Sequence, residues 1–234
     1  MFEMNLNGLE IEIRRSNRTK TLSINIERDG SVNVIVPIDL EESKIMDIVK
    51  SKEYEIHKHI TKNRELNKEH IIRKFVPGHS FLYLGRSYNL HIVENQEIPL
   101  KLYNGKFLLA SKSVTKAEEV FIKFYKKQGK PILEKRINYF KDFIAEKPKE
   151  IKIVDLKTRW ASCTPMGNLN FHWKCFMAPL SVLDYLIVHE LVHLKHLNHS
   201  RQFWDDVSVI VPDYKDHENW LRKNGVKLTL NDNL

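Results

Sequence analysis

The chain has 234 residues, of which 42% are hydrophobic and 29% are charged, and its formal net charge is +8. This length and composition are typical of a globular protein with one large or two small domains, and they exclude a disordered or fibrous chain. No apolar run approaches the roughly 18 residues of a membrane span, and the first residues lack the apolar region of a signal peptide. Two cysteines, Cys163 and Cys175, do not make a disulfide framework, so we expect core thiols in a reducing cytoplasm.

The positive charge is distributed unevenly along the chain. Residues 1–150 carry seven more basic than acidic side chains, whereas residues 151–234 carry one more. A basic half could bind nucleic acid or an acidic protein. The basic residues are scattered among Glu and Asp, and the sequence contains no recognised nucleic-acid module. A solvated, lysine-rich surface is therefore the favoured interpretation.

Residues 1–112 are predicted to form a β-rich module. Apolar and polar residues alternate over residues 9–36, which is the period of a strand, and Arg28-Asp29-Gly30-Ser31 is typical of a hairpin turn. Residues 41–66 carry apolar side chains at spacings of three and four, which predicts helix. Four short strands are predicted after it, at 81–84, 88–93, 100–103 and 107–110, with turn residues at Pro77-Gly78, Gly85 and Asn104-Gly105.

Residues 113–234 are predicted to form a second domain that carries more helix. Helical periodicity extends over residues 115–146, with a kink or break expected at Gly129 and Pro131. A strand at 151–154 and a hairpin of 160–163 with 168–173 follow, and helices are predicted from about Ser181 and over 214–224. The composition changes near residue 112, which makes this the best candidate boundary. The expected fold is α+β, with the two parts packed together.

The most informative motif is His-Glu-Leu-Val-His at residues 189–193, followed by His199. Positions i and i+4 share one face of a helix, so His189 and His193 can bind one metal ion. Glu190 is rotated by about 100° and lies beside them, where it can contact a water molecule rather than the metal. His199 cannot bind from the same helix, because ten further residues would place it about 15 Å along the axis. The chain must therefore leave the helix and double back.

These residue types are those of a hydrolytic zinc site. Three neutral imidazoles leave zinc its full charge and one open position, which lowers the pKa of a water there to about 7. Glu190 can accept the proton as the water attacks a carbonyl, and can pass it to the leaving amine. The alternative is a solvated helix that carries His and Glu by chance. The apolar flanks argue against it, because buried His and Glu need a partner or a role.

A set of residues around this motif carries a family likeness; in chain order they are Thr158–Cys163, Asn168–Trp173, Pro179, Asp184-Tyr185, His189–Leu191, His193-Leu194, Asn198–Ser200 and Phe203-Trp204. They resemble the YgjP-like zinc metallopeptidases, relatives of the Wss and SprT-like proteases. The likeness covers roughly residues 150–225, and a weaker likeness reaches the N-terminal half. It implies a compact, minigluzincin-like protease domain in which His189, His193 and His199 bind Zn²⁺ and Glu190 is the catalytic base.

Two positions depart from related patterns. Ala161 stands where the family usually has Gly in its Arg-Trp-Gly-Ser-Cys segment. The histidine spacing also matches the metzincin pattern, but His196 replaces the glycine of that pattern and no obvious Met-turn follows. We therefore do not assign the chain to the metzincins.

Several other residues have two interpretations. Arg159 could polarise the scissile carbonyl or pair with a carboxylate, while Trp160 could line a cleft or pack in the core. Tyr185 lies one turn before the motif, either as a donor to the site or, more commonly in an apolar helix, as a core aromatic. Asp205 and Asp206 could accept a hydrogen bond from a ligand imidazole. Rival metal ligands are His172, His196, His217 and, as in peptide deformylases, an upstream cysteine; His199 has the better local context.

The sequence thus predicts a cytoplasmic zinc endopeptidase that acts on peptides or proteins. One rival is a metal-dependent amide hydrolase of a small or modified substrate. The other is a non-enzymatic, nucleic-acid-associated adaptor with a structural zinc site, against which the intact Glu190 argues, since such a site needs no base. We also predict that the strand at 168–173 has an open edge, to which an extended substrate adds as a further strand.

Overall fold

The computed structural model describes residues 2–17, 21–26, 30–67, 73–144, 146–156 and 159–230. The chain divides into two compact units between residues 70 and 71, and each mixes strands with helices, so the expected α+β class is confirmed. The composition change near residue 112 falls inside the second unit. The sheet over residues 80–110 shares one hydrophobic core with the helices that follow it. Amino-acid composition does not indicate which elements pack in the same core.

The first unit is a four-stranded sheet followed by two helices. Its strands are ordered β1-β2-β4-β3, with β2 and β4 parallel and the other neighbours antiparallel. Alternate apolar side chains of the strands pack with those of the helices in a separate core. The predicted turn residues Arg28 and Asp29 lie outside the described residues. The elements are β1 (Phe2–Leu6), β2 (Leu9–Ser16), β3 (Ser23–Ile26), β4 (Val32–Pro37), α1 (Glu42–Ser51) and α2 (Glu53–Asn67).

The second unit begins with another four-stranded sheet, ordered β5-β6-β8-β7, in which β6 and β8 are parallel. Asn104 and Gly105 join β7 to β8 with φ values of 47° and 70°, as a two-residue hairpin of this kind requires. The predicted turn is thereby confirmed. The strands are β5 (Ser80–Tyr83), β6 (Arg86–Val93), β7 (Leu100–Tyr103) and β8 (Lys106–Ala110).

Helix α3 (Ala117–Phe140) continues through both Gly129 and Pro131, so the expected break is absent. Gly129 has a packing role instead, because a Cβ atom there would lie 2.3 Å from Cζ of Phe176. Near the end of α3, Arg136 donates two hydrogen bonds to the carboxylate of Asp184, with Nε–Oδ1 and Nη2–Oδ2 distances of 2.6 and 2.8 Å. This bidentate pair ties α3 to the helix that carries the His-Glu motif.

A three-stranded sheet and three helices complete the second unit. The sheet is ordered β10-β11-β9, with β10 antiparallel and β9 parallel to the central strand. The prediction of an open edge on β11 is therefore wrong, because this strand is paired on both sides. None of the described helices is long and apolar enough to cross a membrane. The elements are β9 (Glu150–Val154), β10 (Ala161–Cys163), β11 (Asn168–His172), α4 (Leu180–Val192), α5 (Arg201–Ile210) and α6 (Tyr214–Asn224).

Candidate active site

Helix α4 brings the motif into the core of the second unit. Nine of its thirteen residues are buried, because apolar side chains surround it almost completely. It begins after its N-cap residue Pro179, because a proline disfavours helical backbone at the residue before it. It ends at its C-cap residue His193. His189 and Glu190 therefore occupy the last turn.

The chain then reverses direction within a few residues. The amide of His196 still donates to the carbonyl of Val192, and the turn ends where Ser200 caps α5 by accepting from the amide of Phe203. His199 directly precedes this cap. The doubling back that the sequence required thus occurs, and it returns His199 to the end of α4.

The three imidazoles converge on one point. Nε2 of His199 lies 3.0 Å from Nε2 of His189 and 3.2 Å from Nε2 of His193. Ligand nitrogens at about 2.05 Å from a tetrahedral zinc would be separated by about 3.3 Å, so the three atoms are close to the spacing that zinc needs. The three residues form a group that could hold a metal ion.

Two of these side chains, His189 and His199, have lowered pKa values. Burial, reinforced by the neighbouring His193 and His199, lowers the pKa of His189 to about 3. Burial also lowers the pKa of His199, and again His193 adds to the effect. Neutral imidazole is the form that binds a metal, so the donor set fits a divalent cation such as zinc.

Main chain and aromatic rings orient these imidazoles. Nδ1 of His193 lies 2.9 Å from the carbonyl oxygen of His196; donation to this carbonyl leaves the Nε2 lone pair directed at the other two rings. Phe203 packs against all three rings, with centroid distances of 4.5 to 4.9 Å. Trp204 stacks on His199 at 5.6 Å. The sequence indicated these aromatics only as anchors of the return segment, whereas they also form one wall of the site.

Asp206 secures the return segment rather than a ligand. Its Oδ2 atom accepts from Nε2 of His196 at 2.8 Å and from Nζ of Lys195 at 2.9 Å. The sequence could not choose between Asp205 and Asp206 as acceptors for a ligand imidazole, and neither has that contact among the described residues. Asp205 instead lies 3.9 Å from Arg201 at the surface.

Glu190 is a buried carboxylate that is 4% exposed. It accepts a hydrogen bond from the backbone N–H of Cys163, on strand β10. Its Oε2 atom is buried and has no hydrogen-bond partner among the described residues. Burial raises the pKa of Glu190 to about 8, although the Cys163 amide and the charge of Arg159 act in the opposite direction. One oxygen is thus fixed by main chain and the other is available for proton transfer.

The rival histidines have other partners. His172 is buried and lies 3.1 Å from Asp155, His196 contacts Asp206, and His217 lies 3.2 Å from Asp213. None of the three belongs to the converging group. The cysteines do not belong to it either: Cys175 is fully buried and directs its thiol to the carbonyl of Trp160.

Three further predicted residues lie around the site. Tyr185 is 5% exposed, and its ring centroid lies 5.9 Å from that of His189, so this core aromatic also borders the site. Trp160 is half-buried against the core of the unit. Arg159 is exposed just before β10, where its charge acts on Glu190. The carboxylate partner that the sequence allowed for Arg159 is not seen among the described residues.

Sequence comparison shows that the chain carries a metallopeptidase domain. A sequence model of the family described as "YgjP-like, metallopeptidase domain" matches residues 20–224. The chain therefore belongs to the YgjP-like metallopeptidase family, and the resemblance seen in the sequence is confirmed. Membership implies a peptidase that uses a metal ion.

Two further comparisons add little to this assignment. No curated protein matches the chain significantly. The crystal structure of the metallopeptidase zymogen of Pyrococcus abyssi abylysin is similar, with 23% sequence identity and a TM-score of 0.38. That match covers 41% of this chain and 96% of the abylysin chain.

Proposed function

We propose that the protein is a zinc-dependent endopeptidase in which His189, His193 and His199 hold one Zn²⁺ ion and Glu190 is the general base. The observation that carries this proposal is the convergence of three Nε2 atoms at 3.0 and 3.2 Å, beside a buried carboxylate with an unpartnered oxygen. Such a set has no evident structural use, because converging ring nitrogens cannot all satisfy one another by hydrogen bonds.

The chemistry divides between the metal and the chain. Bound zinc would supply Lewis acidity, polarising the scissile carbonyl and making water acidic near neutral pH. The three imidazoles supply nitrogen ligands that packing holds in place. Glu190 accepts a proton through the oxygen that the Cys163 amide leaves available, and it returns the proton to the departing amine. A carboxylate whose environment raises its pKa is suited to both steps.

The substrate would add to β10 rather than to β11. The amide of His172 donates to the carbonyl of Trp160 and that of Thr164 donates to the carbonyl of Asn168. Because main-chain groups alternate along a strand, those of Ala161 and Cys163 point away from β11. The outward amide of Cys163 donates a hydrogen bond to Glu190, so this side of β10 faces the proposed zinc site.

Ala161 is the residue of β10 whose outward main-chain groups could bind a substrate, because the outward amide of Cys163 already bonds Glu190. Its side chain belongs to the core, and no strand among the described residues pairs with the outer side of β10. The outward N–H and C=O of Ala161 can therefore bind the main chain of an extended peptide, a mode that tolerates many side chains. An open strand edge beside the base favours cleavage within a chain over hydrolysis of a small amide.

One experiment tests the base. The Glu190→Gln variant keeps the shape of the side chain but cannot accept a proton. We expect its zinc content to stay near one per chain, while kcat/KM for a peptide blocked at both ends falls by at least about 100-fold. Full activity of this variant would show that Glu190 is not the base. Failure of the wild-type protein to cleave blocked peptides, while it hydrolyses small amides, would contradict the endopeptidase assignment.

A second experiment tests the strand edge. Ala161→Pro removes the outward N–H, whereas Ala161→Gly keeps it and serves as the matched control. We expect the proline variant to lose about tenfold or more in kcat/KM, mainly through KM, because it loses a main-chain hydrogen bond and strand complementarity. Zinc content should be unchanged in both variants. Equal kcat/KM in the two would exclude Ala161 as a binding position.

A further inference from the structure

A second concave site lies elsewhere in the same unit. It is a cavity of about 530 Å³ between strands β5 and β6, the C-terminal half of α6 and the turn after it. Pockets for small ligands usually measure about 300–1,000 Å³. None of the three converging histidines lines this cavity, and neither does Glu190. The peptidase reaction gives it no role.

A buried guanidinium forms part of the wall. Arg73 is 7% exposed, and its Nε atom donates to the carbonyl of Ser80 at 3.2 Å. Its Nη1 atom donates to the carbonyls of Lys227 and Thr229 at 2.7 and 3.1 Å. Nη2, with its two N–H groups, has no hydrogen-bond partner among the described residues. The two N–H groups of Nη2 are therefore available to donate hydrogen bonds to a ligand.

The charge of Arg73 also lacks a counterion among the residues that the structure describes. Burial lowers its pKa, and Tyr125 is the one ionisable group with a resolved opposing effect. Tyr125 cannot serve as an anion, because burial raises its own pKa and its hydroxyl donates to the carbonyl of Leu82 at 2.6 Å. No carboxylate lines the cavity among the described residues. A buried cation without an opposite charge is costly, and an anionic ligand would remove that cost.

The remaining lining suits a ligand with an anionic end and an apolar body. Nδ1 of His79 accepts from the amide of Lys74 at 3.2 Å, so the proton on Nε2 can be donated to a ligand. Trp220 and Leu82 supply apolar surface, and Ser87 lies at the exposed rim, outside the proposed contacts with the ligand.

We propose that this cavity binds a small organic anion. Its carboxylate or phosphate group pairs with Nη2 of Arg73, and its apolar part packs on Trp220. Carboxylate and phosphate share the geometry that a guanidinium recognises, so both belong to the proposal and the experiment separates them.

The first test uses the zinc-loaded full chain and three probes of similar size, which are benzoate, phenyl phosphate and neutral benzamide. Binding is followed by tryptophan fluorescence. We expect at least one anion to saturate below about 10 mM and to bind about tenfold or more tightly than benzamide, since a charge-assisted hydrogen bond is lost in the amide. The tighter of the two anions identifies the preferred head group. Equal affinities for benzamide and both anions would overturn the proposal, as would no saturation by either anion.

The second test places a competing charge at the rim without disturbing Arg73, which also holds the main chain of residues 227 and 229. Ser87 is exposed and lies opposite Leu82 in the β5–β6 pair. In Ser87→Glu the new carboxylate should repel the probe and pair with Arg73, which weakens binding by about tenfold, whereas Ser87→Gln should bind as wild type does. Equal weakening in the two variants would contradict the charge argument.

A third comparison excludes anions that bind at the metal. Trp204 stacks on His199, whereas Trp220 lines the cavity. The fluorescence response should therefore disappear in Trp220→Phe and persist in Trp204→Phe. The reverse result would place the anion at the active site and refute the proposal, whatever the peptidase activity proves to be.

Discussion

Replacement of Asp206 by Asn should weaken zinc binding although Asp206 is not a ligand. The carboxylate joins His196 and Lys195 at 2.8 and 2.9 Å and so fixes the segment that presents His199. His196 in turn places its carbonyl 2.9 Å from Nδ1 of His193. Loss of the charge therefore loosens two of the three proposed ligands.

The magnitude follows from the exposure of the pair. A hydrogen bond to a charged group contributes about 1.5–3 kcal/mol, but the Asp206 side chain is 38% exposed, so solvent reduces this to about 1–2 kcal/mol. If the metal-bound state needs the fixed segment, zinc affinity falls by about 5- to 30-fold. Asp205→Asn is the matched control, because its carboxylate is exposed and lies 3.9 Å from Arg201.

Competition against a chelator of known affinity measures both variants at neutral pH. We expect Asp205→Asn to bind zinc within about twofold of wild type, since surface pairs contribute little. Wild-type affinity in Asp206→Asn would show that the clamp does not support the ligands. Equal losses in both variants would point to the net charge of the helix instead.

Three further predictions concern the ligands, the metal and the core. His199→Ala should lose at least about 100-fold in zinc affinity, far more than His196→Ala, and equal losses in the chelator assay would refute the ligand assignment. Removal of zinc should lower the thermal midpoint, because free zinc at 100 times its Kd adds about 2.7 kcal/mol to stability; an unchanged midpoint in calorimetry would contradict a folded-state site. Gly129→Ala should lower the free energy of unfolding by about 1–2 kcal/mol in urea, because the clash with Phe176 exceeds the gain in helix propensity. The additional substitution Phe176→Leu should relieve this clash. A Gly129→Ala variant more stable than wild type would refute the packing argument.

The sequence predicted the centre of the site because helical periodicity alone places His189 beside His193. The return of His199 followed from length, because a straight helix could not bring it back to the other two histidines. The Asn104-Gly105 turn was predicted from its residue types, and both residues have positive φ values in the structure. In each case the feature depends on residues close in sequence.

What the sequence could not predict depends on distant or main-chain partners. The alternation of polar and apolar residues over 168–172 indicates a strand, but it does not predict which strands pair with it. In the structure, residues 150–154 of β9 pair with this strand in parallel. The boundary near residue 112 was drawn from composition, which does not tell which elements share a core. The bond from the Cys163 amide to Glu190 has no sequence signature, because every residue except proline carries the same donor.

The observed sheet order places β10, rather than β11, beside the proposed base. Strand β10 is an edge strand, yet it is fixed by β11, which β9 fixes from its other side. Along its outer side this strand holds Glu190 through the Cys163 amide and leaves the Ala161 main chain for a substrate. In the proposed mechanism, alternate residues of one strand would position the base and the substrate, so a shift of β10 would move both together. An open edge on β11 would have given the substrate no such connection to the base.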